Sequence, residues 1–311
     1  MPNSMRDIKR RIKSVSSTRQ ITHAMELVAG AKMRGARQLS EARQAYTDYM
    51  IDTLHMMAKA LKKEEPNVYL RMNGCAKDLY IVLTSDKGLA GGFNSGLLKF
   101  AAETLAKSPE HAVIVCGVKG LDFFRRTGTE ILDAFTGSSD TASMSRASVI
   151  GKRAMDLFLE RKAGRVGIIY NQFVSAISQK PTLVHLLPLS NDELASAEDE
   201  ISLIGREEGQ KPVDYERTDF FDGIDPSYMI FEPGASYIAE KLIPSYVENA
   251  VYGALLESAA GELAARRLAM ENATDNANEI IDALELAYNR ARQGAITQEI
   301  TEIVSGAEAI K

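Results

Sequence analysis

The stretch MENATDNANEIIDALELAYNRA, residues 270–291, decides the fold. Its small and apolar residues recur in alternating steps of three and four, which is a seven-residue repeat. Such a repeat places one stripe along an α-helix and predicts a left-handed supercoil with a partner helix. Because alanine dominates the stripe, the partner helix can approach closely. The predicted stripe consists of Met270, Ala273, Ala277, Ile280, Leu284, Ala287 and Ala291.

Proline placement leaves room for two long helices. Proline is absent between Pro2 and Pro66 and again after Pro244. An interior proline costs a helix about 3 kcal/mol, so both ends of the chain are free to be helical. About 65 C-terminal residues would form a rod of about 100 Å. The N-terminal helix is the predicted antiparallel partner, and the alternative is that each helix packs separately on the middle of the chain. Its apolar positions at helical spacing are Ile8, Ile12, Val15, Ile21, Met25 and Val28.

The middle of the chain alternates between strand-like and helix-like stretches. Apolar, β-branched runs at 79–84, 113–117 and 166–170 suit a buried parallel sheet, with a further strand at 183–187. Residues 96–106 and 148–161 favour helices. This order predicts a central Rossmann-like α/β domain with right-handed crossovers. The predicted domains are an N-terminal coiled-coil helix at 1–65, the α/β domain at 66–230 and a C-terminal coiled-coil helix at 231–311.

Charge is distributed unevenly behind a net value of -5. Residues 1–45 hold ten basic and three acidic residues, whereas 191–225 hold twelve acidic and three basic ones. The acidic segment is expected to be a surface excursion. The basic helix is either a solvated face or a surface that docks against an acidic protein. Its aromatic residues lie beyond the basic cluster and the rest of the chain is acidic, which argues against nucleic acid.

The sequence contains no recognisable catalytic or metal-binding set. Its four histidines are scattered, and its two cysteines, Cys75 and Cys116, form neither a CxxC motif nor a disulfide framework. Two cysteines fit a reducing compartment. No metal and no cofactor are expected. No apolar run reaches the roughly 18 residues that a membrane span needs.

A glycine-rich loop, SDKGLAGGFN at 85–94, follows a predicted strand and precedes a predicted helix. Nucleotide-binding folds cradle phosphate on backbone N–H groups at this place. The spacing is neither GxGxxG nor GxxxxGK[ST], and Asp86 would repel a phosphate. We therefore favour a structural turn over the alternative of a nucleotide site.

Several long motifs, in order, resemble the gamma subunit of F-type ATP synthases, the central stalk of F1. They are ITHAMELVAGAKM at 21–33, the 85–94 turn, the block from Ala264 to Asn276, and ITQEITEIVSGAEA at 296–309. The turn departs from the family's SDRGLCGGLN at Lys87 and Ala90. The resemblance runs from about residue 5 to the end. It also matches the basic start to the mature helix, so residues 5–15 are expected to be retained rather than cleaved as a transit peptide.

The resemblance implies a non-catalytic rotor shaft that couples ion translocation to ATP synthesis or hydrolysis. Alpha and beta subunits would surround the coiled coil, and the epsilon subunit and c ring would contact the α/β domain. The chain would be peripheral to the cytoplasmic face of a bacterial membrane. Two rival hypotheses stay open: a nucleotide-dependent enzyme built on residues 75–190, and a generic coiled-coil scaffold. Some photosynthetic relatives carry a regulatory dithiol near 191–225, where this chain has no cysteine, so no response to dithiothreitol is expected.

Positions within the matched motifs imply candidate partner-binding residues. For Met25 the alternative role is coiled-coil packing, and for the other positions implied to contact the alpha–beta ring it is a solvated helix face. The implied contacts with the alpha–beta ring are Met25, Lys32, Arg34, Arg266, Arg292, Gln293, Thr297 and Glu299. The implied contacts with the c ring and epsilon are Tyr228, Phe231 and Glu232, with Pro233 beside them.

Overall fold

The computed structural model describes residues 5–60, 67–137, 141–189 and 231–308. The predicted acidic excursion at 191–225 lies outside the described residues. In chain order the elements are α1 (Met5–Ala60), a short 3-10 helix (Val68–Leu70), β1 (Asp78–Leu83), α2 (Phe93–Leu105), β2 (His111–Cys116), α3 (Val118–Thr127), β3 (Ile131–Phe135), α4 (Met144–Leu159), β4 (Arg165–Phe173), β5 (Gln179–Leu187) and α5 (Ala235–Glu308).

The chain divides into two compact units. One unit is Gly30–Ala265, and the other combines Met1–Ala29 with Arg266–Lys311. Helix α1 has 56 residues and α5 has 74, so each contributes to both units. The first unit contains the sheet and the helices that cover it, whereas the second is built from the ends of α1 and α5.

A five-stranded sheet in the order β3-β2-β1-β4-β5 forms the middle of the larger unit. The first four strands pair in parallel, and β5 pairs antiparallel with β4. The antiparallel pairing follows from the short connection, since Phe173 pairs with Gln179 and a parallel return needs a dozen or more residues. The predicted mixed α/β fold with long terminal helices is confirmed.

The sequence did not predict α3 or β3. The ILDAF stretch of β3 carries a charged residue in its centre, and its residues are only partly buried because it is an edge strand. Helix α3 has only ten residues, few of them buried. Short elements with one covered face give a weak periodic signal.

Both faces of the sheet are covered by helices, as parallel sheets require. On one face, Tyr80 and Val82 pack with α2 and α3. On the other, Leu79 and Ile81 pack with α4, the C-terminal part of α1 and the N-terminal part of α5. The alternation along β1 therefore assigns successive residues to opposite hydrophobic cores.

The turn from β2 into α3 requires a glycine. Gly117 has a φ of +100°, and a Cβ there would collide with the backbone carbonyl of Thr84. The two strand ends approach closely enough for Thr84 Oγ1 to bond both the Cys116 carbonyl, at 2.9 Å, and the Gly120 N–H, at 2.9 Å. Only glycine meets both the conformational and the steric requirement.

Helix α5 begins at Ala235, close to the predicted start at residue 231, and it runs through Pro244. An interior proline costs about 3 kcal/mol. The neighbouring Ile243, Tyr246 and Val247 are fully buried against the sheet core. Burial of each such side chain contributes about 1.5–3 kcal/mol, which offsets the loss.

Candidate partner-binding surfaces

In the unit formed by Met1–Ala29 and Arg266–Lys311, α1 and α5 run antiparallel. Arg19 Nη1 donates to Asn278 Oδ1 at 3.2 Å, and the hydroxyls of Thr22 and Thr274 lie 2.8 Å apart. A step forward along α1 thus corresponds to a step backward along α5. Polar residues in a helix seam fix the register of the two helices.

The register of the seam on α5 differs partly from the prediction. Met270 and Ala277 are buried, and Ala273, Leu284 and Ala291 are half-buried, in agreement with it. The prediction was wrong for Ile280 and Ala287, which are exposed. Their half-buried neighbours Ile281 and Tyr288 lie in the seam instead, continuing the series that starts at Thr274. The prediction counted only apolar residues, so it placed alanine in the seam and left out threonine and tyrosine. Threonine is nevertheless suited to the seam, because its hydroxyl can contact a hydroxyl of the other helix.

The same shift occurs on α1. Ile8 is buried, and Ile12, Val15 and Met25 are half-buried, as predicted. Ile21 and Val28 are instead 59% and 57% exposed, so the prediction was wrong for both. The inward positions belong to Thr22 and Ala29. Ile21 and Val28 are seven residues apart and therefore share one exposed face of α1, and Leu27 is exposed on another side of the helix.

The candidate residues of α1 lie on two kinds of surface. Met25 is half-buried, so it contributes to the seam and keeps part of its side chain accessible. Lys32 and Arg34 are exposed. These two residues are two positions apart on the helix and therefore project in different directions.

The candidate residues of α5 separate by burial. Arg266 is only 8% exposed, whereas Arg292, Gln293, Thr297 and Glu299 are exposed. Helical spacing places Arg292 and Glu299 on one face. Gln293 and Thr297 share another face, where the Thr297 hydroxyl donates to the Gln293 carbonyl at 3.0 Å. The structure thus brings the four exposed residues together as two rows.

The last turns of α5 also expose large apolar side chains, which the sequence-based candidate residues do not include. Exposed large apolar residues on one helix are informative when they cluster. The signal was present in the 296–309 motif as isoleucines spaced three and four apart. The exposed residues are Ile296, Ile300, Ile303 and Val304, with exposures between 49% and 66%.

Near the start of α5, Phe231 is half-buried and packs against the core formed by the sheet, α1 and α4. Glu232 and Pro233 are exposed. Tyr228 lies outside the described residues. Among the described members of this predicted group, Glu232 places a carboxylate on the surface.

The glycine-rich loop closes on itself. The Ser85 N–H donates to Asn94 Oδ1 at 3.0 Å, and Asn94 Nδ2 donates to Ser85 Oγ at 2.7 Å. The Asp86 carboxylate accepts the N–H groups of Val118, at 3.1 Å, and Gly137, at 3.0 Å. The Asp86 carboxylate therefore caps the N-terminus of α3 and ties the loop that leads into α2 to that helix. This geometry supports the structural turn.

The ligand crevice of a doubly wound sheet lies where the strand order reverses, here between β1 and β4. In this chain α5 crosses that place. A Cβ on Gly261 would lie 3.3 Å from Phe93 Cε2 and 3.2 Å from Gln179 Cγ. Asn171 Nδ2 also donates to the Phe93 carbonyl at 3.0 Å, and Phe93 is buried. The crevice is filled by the chain's own helix and side chains.

Within the ranges 5–60, 67–137, 141–189 and 231–308, no group of three or more His, Cys, Asp or Glu residues is arranged to hold a metal ion. None of the helices described there is long and apolar enough to cross a membrane. Burial raises the pKa of the Cys116 thiol from 9.0 to about 12, and Cys75 is half-buried. The thiol of Cys116 is thus protonated and unreactive near neutral pH.

One unit with an antiparallel pair of helix ends and another with a mixed sheet covered by helices define a two-unit mixed α/β protein. A sequence profile described as ATP synthase matches residues 4–310. The ATP synthase gamma chain of Alkaliphilus metalliredigens is 42% identical over 307 residues, covering 99% of each chain. This chain belongs to the family of ATP synthase gamma chains.

Two further similarities agree with this assignment. The ATP synthase gamma chain of Acetobacterium woodii, described as sodium ion specific, is 42% identical over 311 residues and covers 100% of both chains. A chain in the OSCP/F1/c-ring structure of Euglena gracilis mitochondrial ATP synthase, in rotational state 3, aligns with a TM-score of 0.66 at 21% identity. That alignment covers 98% of this chain and 94% of the other, and it shows a shared fold.

Proposed function

We propose that this chain is the central rotor shaft of an F-type ATP synthase. It transmits torque between a membrane c ring and the catalytic alpha–beta ring, and so couples ion translocation to ATP synthesis or hydrolysis. The observation that carries the proposal is the antiparallel seam of α1 and α5, found in a chain that belongs to the gamma family. The chain itself is non-catalytic, because its rotation changes the conformation of partner sites.

The partners follow from the same role. Alpha and beta subunits surround the paired helices, and epsilon and the c ring contact the α/β domain. The complex places the chain at the cytoplasmic face of a bacterial membrane, to which it is peripheral. Functionally we divide the chain into a coiled-coil helix at 1–65, an α/β domain at 66–230 and a second coiled-coil helix at 231–311.

The ring-facing surface is proposed to have two parts. On α1 it consists of the accessible part of Met25 together with Lys32 and Arg34. On α5 it consists of the two exposed rows of Arg292, Gln293, Thr297 and Glu299. Arg266 is largely buried, so it is proposed to support this surface through packing. Phe231, Glu232 and Tyr228 are proposed to face the c ring and epsilon.

Co-purification tests the proposal. A tagged chain expressed with the other subunits is expected to bring down alpha and beta subunits and ATPase activity. Recovery of the chain without either subunit would contradict it. Titration of the isolated chain with ATP or NAD separates the nucleotide-enzyme rival. We expect no binding at micromolar concentrations, because α5 and the buried Phe93 side chain fill the crevice between β1 and β4.

Charge reversal tests the α1 surface. Lys32→Glu combined with Arg34→Glu is expected to lower the number of ions transported per ATP hydrolysed at least about twofold, since like charges would then meet across the interface with an acidic partner surface. The matched control is Arg125→Glu on the exposed face of α3, which is expected to leave this ratio unchanged. Equal effects of the two changes would remove the assignment.

A further inference from the structure

Within the unit Gly30–Ala265, a polar patch is buried between α1 and α5. Arg43 and Thr47 of α1 are 7% and 3% exposed, and Asn249 of α5 is 4% exposed. Arginine is rarely buried to this extent unless its guanidinium is bonded. The patch lies apart from every residue assigned above to a partner surface.

Hydrogen bonds connect the two helices through this patch. Arg43 Nη1 donates to Thr47 Oγ1 at 2.8 Å and to the Asn249 carbonyl at 3.4 Å. Asn249 Nδ2 donates to the same Thr47 oxygen at 3.0 Å. The guanidinium and the Asn249 side chain therefore cross-link α1 and α5, and each bond has a preferred direction.

A glycine on α5 makes room for the guanidinium. A Cβ built on Gly253 would lie 2.6 Å from Arg43 Cζ, and closer still to Nη2. The Arg43 side chain is thus seated directly against the backbone of α5. Asn249 and Glu257 lie one turn away from Gly253 on either side, and both carry side chains. If α1 slipped by one turn, the Arg43 guanidinium would meet one of these side chains in place of the glycine.

The neighbouring contact between the two helices has a different character. Met33 and Ala36 of α1 pack against a cluster formed by Ala260 and Ala264 of α5 with Phe173 of β4. These apolar side chains form no directional bonds that oppose sliding or twisting of the helices. The polar patch supplies the directional contact that this apolar stretch lacks.

We propose that Arg43, Thr47, Asn249 and Gly253 form a register lock. The lock holds α1 and α5 against relative sliding and twisting, so that torque applied to one helix reaches the other without slip. This inference rests on the proposed rotor function. Arg43 is a positioning residue, since it acts on the ring only through the geometry of the two helices.

A double-mutant cycle in the assembled complex tests the lock. Gly253→Ala is expected to lower the ions transported per ATP hydrolysed at least about twofold, because the new methyl displaces the guanidinium. Arg43→Ala alone is expected to give a similar loss. Adding Gly253→Ala to Arg43→Ala is expected to cause no further loss, since the methyl then occupies vacated space. Arg43→Lys is expected to restore at least half of the ratio, because its ammonium can still donate to Thr47.

Torsional stiffness is the second readout. With the alpha–beta ring fixed, the angular variance of a bead on the α/β domain is expected to increase about twofold in Gly253→Ala. The matched control is Arg37→Ala on α1, which removes a half-buried arginine whose Nε donates to Glu41 Oε1 on the same helix. This control is expected to keep the wild-type variance.

Each outcome decides the proposal. Additive losses in the double variant, or wild-type coupling and stiffness in both single variants, would overturn the lock. If Gly253→Ala blocks assembly, restoration of assembly by the added Arg43→Ala supports the lock, and failure in both backgrounds overturns it. Failure of the rotor function itself has a separate signature, because the unmodified chain would then recover no alpha and beta subunits.

Discussion

At the scale of single residues, Asp86 gives the glycine-rich loop a structural role. Its type and position in the sequence already argued against phosphate. The structure adds the reason it is there, since its carboxylate accepts two backbone N–H groups, one of them at the start of α3. That role could not be predicted from sequence, because both α3 and the segment around Gly137 were unassigned.

Replacing Asp86 with alanine is expected to lower the free energy of unfolding by about 1–2 kcal/mol, the cost of losing a helix cap. Urea denaturation of the purified chain measures this change. Asp122→Ala, on the exposed face of the same helix, is the control and is expected to change the value by less than about 0.5 kcal/mol. Equal effects at both positions would show that the Asp86 contacts do not stabilise the loop.

Burial of the Cys116 thiol is expected to make the free energy of unfolding depend on pH in the alkaline range. Burial raises the pKa of its thiol from 9.0 to about 12 in the folded chain. Below pH 9 the thiol is protonated in both states, so its contribution is fully present. Between about 9 and 12 only the unfolded thiol ionises, and the free energy of unfolding falls by about 1.4 kcal/mol per pH unit.

Denaturation across this pH range, compared with Cys116→Ala, isolates the thiol from the tyrosines Tyr69 and Tyr80, whose pKa values are also raised by burial. The variant is expected to show a shallower slope. Identical slopes in the two proteins would mean that the Cys116 thiol is not shielded from water in the folded chain.

At the scale of elements, helices and strands with a strong apolar pattern were predicted correctly from the sequence, whereas elements with a weak pattern were not. The apolar runs became β1, β2, β4 and β5, whereas the short edge strand β3 gave no comparable signal. The seven-residue repeat correctly predicted the helix pair but wrongly placed Ile280 and Ala287 in the seam. A pattern of apolar residues cannot take account of a polar contact such as the one between Thr22 and Thr274. Nothing in the sequence indicated that Gly253 would receive Arg43, because that match exists only once the helices are paired.

The exposed C-terminal end of α5 is expected to contribute to coupling without contributing to the stability of the α/β domain. Deleting the chain from Ile296 onward is expected to lower the ions transported per ATP hydrolysed at least about twofold. The described side chains from 296 to 305 are exposed, so little packing is lost within the chain itself. Hydrogen-exchange protection of the β1 amides is expected to stay unchanged. Equal loss of coupling and of protection would show that this end is structural.

At the scale of the whole molecule, buried polar groups serve helix contacts and turns. Arg43, Thr47 and Asn249 connect α1 and α5, and the Ser85–Asn94 pair closes the loop after β1. The crevice that a related sheet would offer to a ligand contains Phe93, with α5 passing over it at Gly261. Contacts between the chain's own elements therefore fill the crevice between β1 and β4, which agrees with the proposed shaft function.

Rotation of this chain inside an immobilised alpha–beta ring tests that conclusion most directly. A bead attached through Lys107→Cys, at an exposed position after α2, reports the orientation of the α/β domain in a complex otherwise free of reactive cysteines. On addition of ATP, the bead is expected to turn in one direction, with dwells that match the number of catalytic sites in the ring. A bead that keeps a fixed orientation while the same complexes hydrolyse ATP would contradict the rotor-shaft function.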